Sequence, residues 1–174
     1  MSSTTMRDNI KSLSSLGKEA FVRRLGGVFE HSPWVAERAW DERPFSSIDE
    51  LHAAMVAAVD SAPAQEQLAL ICAHPELAGK EASSGRLTKA STGEQKGAGL
   101  DQCSADELAR LRRLNADYRQ KMGFPFVIAV KGLSRYQIMD AIETRLQNDR
   151  TTEHLACLEE IAKIARFRLQ DLIA

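Results

Sequence analysis

Residues 104–122 read Ser-Ala-Asp-Glu-Leu-Ala-Arg-Leu-Arg-Arg-Leu-Asn-Ala-Asp-Tyr-Arg-Gln-Lys-Met, and their spacing decides the fold class. Ser104 stands three residues before Glu107, so its hydroxyl can accept from the later residue's N–H while the carboxylate reaches back to the earlier one. That exchange satisfies two donors otherwise orphaned at a helix start. Beyond it Leu108, Leu111, Asn115, Tyr118 and Met122 recur at helical spacing, with Asn115 the single polar member of the stripe. The same start signature appears on both sides. Ser47-Ile-Asp-Glu50 leads into a stripe of Ile48, Leu51, Met55, Ala58, Val59 and Ala62, and Ser134-Arg-Tyr-Gln137 opens another helix. A last helix, opened by Thr152 with Glu153 in its first turn, carries Leu158, Ile161, Ala165, Leu169 and Leu172. With segments near 17–29, 33–41, 63–73 and 91–97 this makes about eight helices, and no pair of alternating strands bounded by a hairpin turn is present. The expected fold is all-α: a helical bundle forming one domain over residues 9–174, after a flexible N-terminus at 1–8.

One stretch resists the helical pattern. Gly123-Phe-Pro-Phe-Val-Ile-Ala-Val-Lys-Gly132 is apolar, flanked by glycines and broken by Pro125, which pushes Phe124 away from helical geometry. An extended buried connection is expected near 123–131. Its N–H and C=O groups cannot all be paired within a helix, which would make them available to a ligand.

The chain has 174 residues, with 23 Lys+Arg against 24 Asp+Glu and a formal net charge of −1. That balance argues against a nucleic-acid partner, which calls for a basic face. The longest apolar run, Ala53–Val59, is far short of the roughly 20 residues a membrane-spanning helix needs. The first residues contain no continuous apolar stretch of the secretory kind. A cytoplasmic protein with no membrane partner is expected. Cys72, Cys103 and Cys157 fit neither a CxxC site nor a disulfide framework and are read as reduced thiols.

Three positions could carry chemistry. His74 precedes Pro75 at the end of an apolar helix containing Leu68, Leu70 and Ile71. An imidazole at the negative end of a helix dipole suits proton transfer near neutrality, and equally suits a capping or core role. Ser91-Thr-Gly-Glu-Gln95 has capping-box spacing between Ser91 and Glu94, and a helix start is also where free N–H groups meet a ligand. Arg168 borders the last helix's apolar stripe beside Ile161, so it needs an anion: a structural Asp or Glu, or a substrate carboxylate. The other histidines, His31, His52 and His154, share no ligand-like spacing. His74-Pro-Glu76 lacks the PCxxC that zinc deaminases pair with such a motif, so no metal site is expected.

Taken in order, Phe29-Glu-His-Ser-Pro-Trp34, Arg43-Pro-Phe45, Ala73-His-Pro-Glu-Leu-Ala-Gly79, Leu87-Thr88, Ser91-Thr-Gly-Glu-Gln95 leading to Ala98-Gly-Leu100, Asn115-Ala-Asp-Tyr118, Gly123-Phe-Pro-Phe126 and Arg168 resemble one family across about residues 20–173. That family is the OHCU decarboxylases of uric-acid degradation. The resemblance implies an all-α, cofactor-free, homodimeric enzyme that decarboxylates 2-oxo-4-hydroxy-4-carboxy-5-ureidoimidazoline to (S)-allantoin with stereospecific protonation. By match to the family's motifs, His74 would be the catalytic acid/base and Glu94 its partner. Pro75, Ser91, Gln95 and the backbone of Phe126, Val127, Ile128, Ala129 and Val130 would hold the ring and ureido group, and Arg168 the carboxylate side. Two positions depart from the pattern: Leu133, where many relatives carry a basic residue, and Gly93, where a bulkier residue is usual. The chemistry fits an unaided protein, because the electron pair left by CO2 can enter an adjacent C=N and no prosthetic sink is required. Two other readings stand beside this one: a non-enzymatic helical module whose apolar grooves bind a partner helix, and a decarboxylase of another ureido or imidazoline acid.

Overall fold

The Glu107 N–H donates to the Ser104 hydroxyl at 3.1 Å and the Ser104 N–H donates to the Glu107 carboxylate at 2.8 Å, the reciprocal pair that the spacing predicts. The structure is a computed structural model and describes residues 8–174. Its helices, in chain order, are α1 (Ile10–Ser14), α2 (Lys18–Leu25), α3 (Trp34–Ala39), α4 (Ile48–Asp60), α5 (Ala64–Ala73), α6 (Lys80–Ser83), α7 (Lys89–Gly97), α8 (Ala105–Met122), α9 (Arg135–Arg145) and α10 (Arg150–Leu172). Among the described residues there is no strand, only an isolated bridge between Asp8 and Ile173. The all-α expectation holds, and all eight expected helices are present. Two more, α1 and α6, are too short to leave a periodic signal. Of the N-terminal segment 1–8, residues 1–7 lie outside the described residues.

The helix starts follow local chemistry. Ser134 and Gln137 form a second complete capping box at α9. At α4, Ser47 accepts from the Glu50 N–H, while the Glu50 carboxylate takes the N–H of Ser46 instead of Ser47. The start of α10 lies two residues earlier than expected, because the Asp149 carboxylate accepts from the Thr152 N–H and caps it.

The backbone N–H of Ser104, then the Tyr136 hydroxyl and Arg135, hold the Glu107 carboxyl at about 2, against an ordinary 4.5. A carboxyl depressed on folding stabilises the native state fully above its unfolded pKa, and that contribution fades as pH falls through the folded value. Glu107→Gln should therefore be less stable than the wild type near neutrality. The urea midpoints of the two proteins should converge as pH drops from about 5 to about 2.5. A gap that stays constant over that range would assign the effect to shape instead of charge.

By contacts along the fold the chain divides into two compact units: residues up to Leu70 together with Ala162–Ala174, and Ile71–Ile161. In the first, Phe21 and Leu25 of α2, Val35 of α3, Leu51, Met55 and Val59 of α4, and Ala165 and Leu169 of α10 are buried. Each fully buried Leu or Phe of this kind contributes about 1.5–3 kcal/mol. Phe21 stacks on Phe45 with ring centroids 6.2 Å apart, and Trp40 Nε1 donates to the Leu16 carbonyl at 3.0 Å. In the second unit the buried residues are Leu111, Leu114, Tyr118 and Met122 of α8, Ile138 and Ile142 of α9, and Cys157 and Ile161 of α10. All three cysteines are free thiols, with Cys72 exposed and Cys157 buried. Two expected core residues face solvent. Leu68 sits roughly 160° around its helix from buried Leu70, and Leu172 is the last helical residue; both are exposed.

Candidate active site

The site begins where α5 stops. Pro75 disfavours helical geometry at His74, and the last helix-like bond there is His74 N–H to the Ile71 carbonyl at 3.1 Å. His74 is only 7% exposed. The turn that follows is held from both neighbouring helices of its unit. Gln95 of α7 accepts the Ala78 N–H at 3.0 Å, and Asn115 of α8 donates to the Leu77 carbonyl at 2.9 Å. Both amides are buried. Ala78 is held in the left-handed region with φ at +52°. A Cβ on Gly79 would lie 2.9 Å from that of Glu76, so the tight turn excludes a side chain there. Deleting either amide would leave a buried backbone group unpaired, which costs about 1–3 kcal/mol. Asn115 is an anchor of this turn that periodicity alone passes over. Its signal was present as the one polar residue in an apolar stripe.

Ser91 and Glu94 do not form a capping box. The α7 helix begins at Lys89 and is capped by Thr88, whose hydroxyl accepts the Ser91 N–H at 3.2 Å and whose carbonyl accepts the Thr92 hydroxyl at 2.9 Å. A threonine one turn earlier takes the cap, so Ser91 and Glu94 lie inside the helix. Ser91 is buried and Glu94 half-buried. Gly93 lies mid-helix, and a Cβ built there meets nothing within 4 Å. Gly93→Ala should therefore stabilise the protein by about 1 kcal/mol, the helix-propensity difference between the two residues. A raised urea midpoint would verify this; a lowered one would mean that the position needs glycine for another reason.

After α8, Gly123 adopts φ +82° and its N–H returns to the Arg119 carbonyl at 2.8 Å, ending the helix. Residues 124–130 form neither helix nor strand and are buried except for half-buried Ile128, as expected of the connection near 123–131. Its backbone is less open to a ligand than the sequence suggests. The Val127 carbonyl accepts from Arg145 at 2.8 Å, and the Ala129 N–H donates to Glu160 at 3.3 Å. Around Phe126 the unit is unusually polar for a core: Tyr118, Arg145, Glu153 and Cys157 meet there. Burial pushes both the Tyr118 phenol and the Cys157 thiol up, so both remain protonated.

Arg168 belongs to the other unit. Its side chain is 6% exposed and donates to the Glu30 carboxylate at 2.8 Å, to the Gly27 carbonyl at 3.2 Å and to the Val28 carbonyl at 3.4 Å. Of the two partners open to it in the sequence, a protein carboxylate is present. Glu30 comes from the Phe29–Trp34 motif and is itself 1% exposed. His74, Pro75, Ser91, Glu94, Gln95 and Phe126–Val130 all fall in the Ile71–Ile161 unit.

A cleft of about 1060 Å³ opens in that unit. His74 and Asn115 line it, together with Lys80, Arg86, Arg112 and Arg119 against Glu76 and Glu81. Four cations face two acids, so the cleft favours an anion. Of the expected site residues, only His74 is in its lining. A nearly buried imidazole beside an anion-attracting cleft can pass a proton to or from a bound acid. Among the described residues, no group of three or more His, Cys, Asp or Glu side chains is arranged to hold a metal ion. No helix among them is long and apolar enough to cross a membrane.

A family model described as OHCU decarboxylase matches residues 14–170. The chain is 46% identical over 163 residues to the uric acid degradation bifunctional protein of Bacillus sp. (strain TB-90), covering 94% of this chain and 32% of that one. It is 42% identical over 162 residues to the 2-oxo-4-hydroxy-4-carboxy-5-ureidoimidazoline decarboxylase of Haloferax volcanii, covering 93% of this chain and 94% of the relative. Among solved structures, the crystal structure of (S)-allantoin synthase superposes with a TM-score of 0.78 at 30% identity, over 96% of this chain and 54% of that chain. The chain thus spans about a third of the bifunctional relative and nearly all of the Haloferax one.

Proposed function

The chain belongs to the OHCU decarboxylase family, and from that premise we propose that it decarboxylates 2-oxo-4-hydroxy-4-carboxy-5-ureidoimidazoline to (S)-allantoin in urate degradation. The observation that carries this reading is the placement of His74, a buried histidine lining a cleft that favours anions, on a turn fixed by Gln95 and Asn115. The substrate is a carboxylate, and its loss of CO2 moves the electron pair of the breaking C–C bond into the adjacent C=N. A planar intermediate results, and a proton must then reach one of its faces. His74 delivers that proton, with Glu94 as its partner in the site. Pro75, Ser91, Gln95 and the Phe126–Val130 backbone hold the ring and ureido group, and Arg168 serves the carboxylate side. Because the C=N supplies the electron sink, the reaction calls on the protein for orientation, charge stabilisation and facial selectivity alone.

Residues 9–174 act as the catalytic domain, the working form is a homodimer, and the protein operates in the cytoplasm. Sedimentation at micromolar concentration should give twice the 19.2 kDa chain mass; a monomer would remove the dimer from the reading. The activity itself is tested with freshly generated substrate, followed by circular dichroism of the allantoin formed. Uncatalysed decay yields a racemate, so a growing (S) signal that scales with protein concentration supports the assignment. Racemic product at the background rate would end it.

A further inference from the structure

We propose that Arg145 is a positioning residue for the reaction: it holds the Phe126–Val130 segment in register for the substrate without touching the substrate itself. This rests on the reading that the segment's backbone holds the ring and ureido group. The guanidinium is bound on all sides. Its Nε donates to Glu153 at 2.8 Å, Nη1 to the Val127 carbonyl at 2.8 Å and Nη2 towards the Cys157 sulfur at 3.4 Å, while its carbon lies 4.3 Å from the Phe126 ring centroid. Glu153 is fully buried and orients the fork. It also accepts from the Tyr118 hydroxyl at 2.5 Å and from Asn148 at 2.9 Å. Tyr118 in turn sets its ring edge-on to Phe126 at 5.2 Å and to Phe124 at 6.1 Å, and the Cys157 thiol points to the Pro125 carbonyl at 3.9 Å.

The segment has no helix or strand of its own to fix it. Its position is set by side chains from α8, α9 and α10, and Arg145 reaches a backbone atom, a ring face and the buried carboxylate together. A planar five-donor fork can satisfy those partners at once, whereas a lysine ammonium is a point charge on a flexible stem. A buried ion pair is weak evidence of stability in itself, and fixing one arrangement against others is a use better suited to this one.

The test compares three variants at a temperature well below their unfolding midpoints. Arg145→Lys keeps the charge and loses the fork; Glu153→Gln keeps the shape and loosens the fork; Asn148→Ala removes a different Glu153 contact and leaves Val127 held. Arg145→Lys should raise KM about tenfold with little change in kcat, since displaced backbone contacts are made in ground state and transition state alike. It should also speed amide exchange at residues 126–130. Glu153→Gln should move both in the same direction by less, and Asn148→Ala should lower the midpoint without moving either. Unchanged KM in Arg145→Lys with an active wild type overturns the proposal, as does failure of both Arg145→Lys and Glu153→Gln to fold, which would make the network a folding requirement only. Where Arg145→Lys alone does not fold, the KM and amide exchange of Glu153→Gln decide. A wild type inactive on the substrate would instead sink the family-based activity, and the exchange data would then show separately whether Arg145 holds the segment.

Discussion

His74→Asn should give a folded protein that turns over roughly 10²–10⁴-fold more slowly than the wild type, the usual worth of a positioned general acid or base. Any allantoin it forms should be racemic. Asparagine keeps a polar side chain of similar reach but cannot exchange a proton near neutral pH. The turn that carries position 74 is secured by Gln95 at Ala78 and Asn115 at Leu77, neither of which depends on the imidazole. The thermal midpoint should therefore change far less than the rate. Product dichroism and a melting curve on the same preparation decide between the two possible roles of His74. An (S) signal at wild-type rate would make it a core histidine at a helix end and move the proton donor elsewhere in the cleft.

The largest stability effect is expected at Glu30. Glu30→Ala strands the Arg168 guanidinium, 6% exposed, without its carboxylate. Breaking a buried pair by removing one partner costs about 3–5 kcal/mol, because the remaining charge stays desolvated and uncompensated. A drop of that size in unfolding free energy from urea titration is the expected outcome. Glu30→Gln, which retains an acceptor, should lose less. Combining Glu30→Leu with Arg168→Met should recover part of the loss, since no charge is then buried alone. A Glu30→Ala protein as stable as the wild type would mean that Arg168 finds another anion or reaches water.

The helices were legible because what starts them is local. Ser104 with Glu107 and Ser134 with Gln137 exchange bonds across three residues, and the apolar stripes behind them repeat every three or four. The same locality explains the errors. Ser91 and Glu94 copy the spacing of a capping box, but Thr88 starts the helix one turn earlier. Asp149 does the same at α10, ahead of Thr152. Nothing within a few residues separates a real cap from a hydroxyl that repeats its spacing. The 124–130 segment was recognisable from Pro125 and its flanking glycines, yet the side chains that occupy its backbone were not. Arg145 and Glu160 lie 18 and 31 residues away from the groups they bind.

Order along the chain therefore established the helical class, the position of most elements and a set of motifs shared with the OHCU decarboxylases. Which polar side chains answer which was decided by packing. Arg168 met Glu30 across 138 residues, Asn115 met the Leu77 carbonyl across 38, and Gln95 met Ala78 across 17. A backbone hydrogen bond or a cap is chosen among neighbours a turn apart, so residue type and spacing suffice to foretell it. A buried amide or guanidinium takes whichever partner the packed helices bring within 3 Å or so, and that choice exists only once the core excludes water and makes an unpaired group costly.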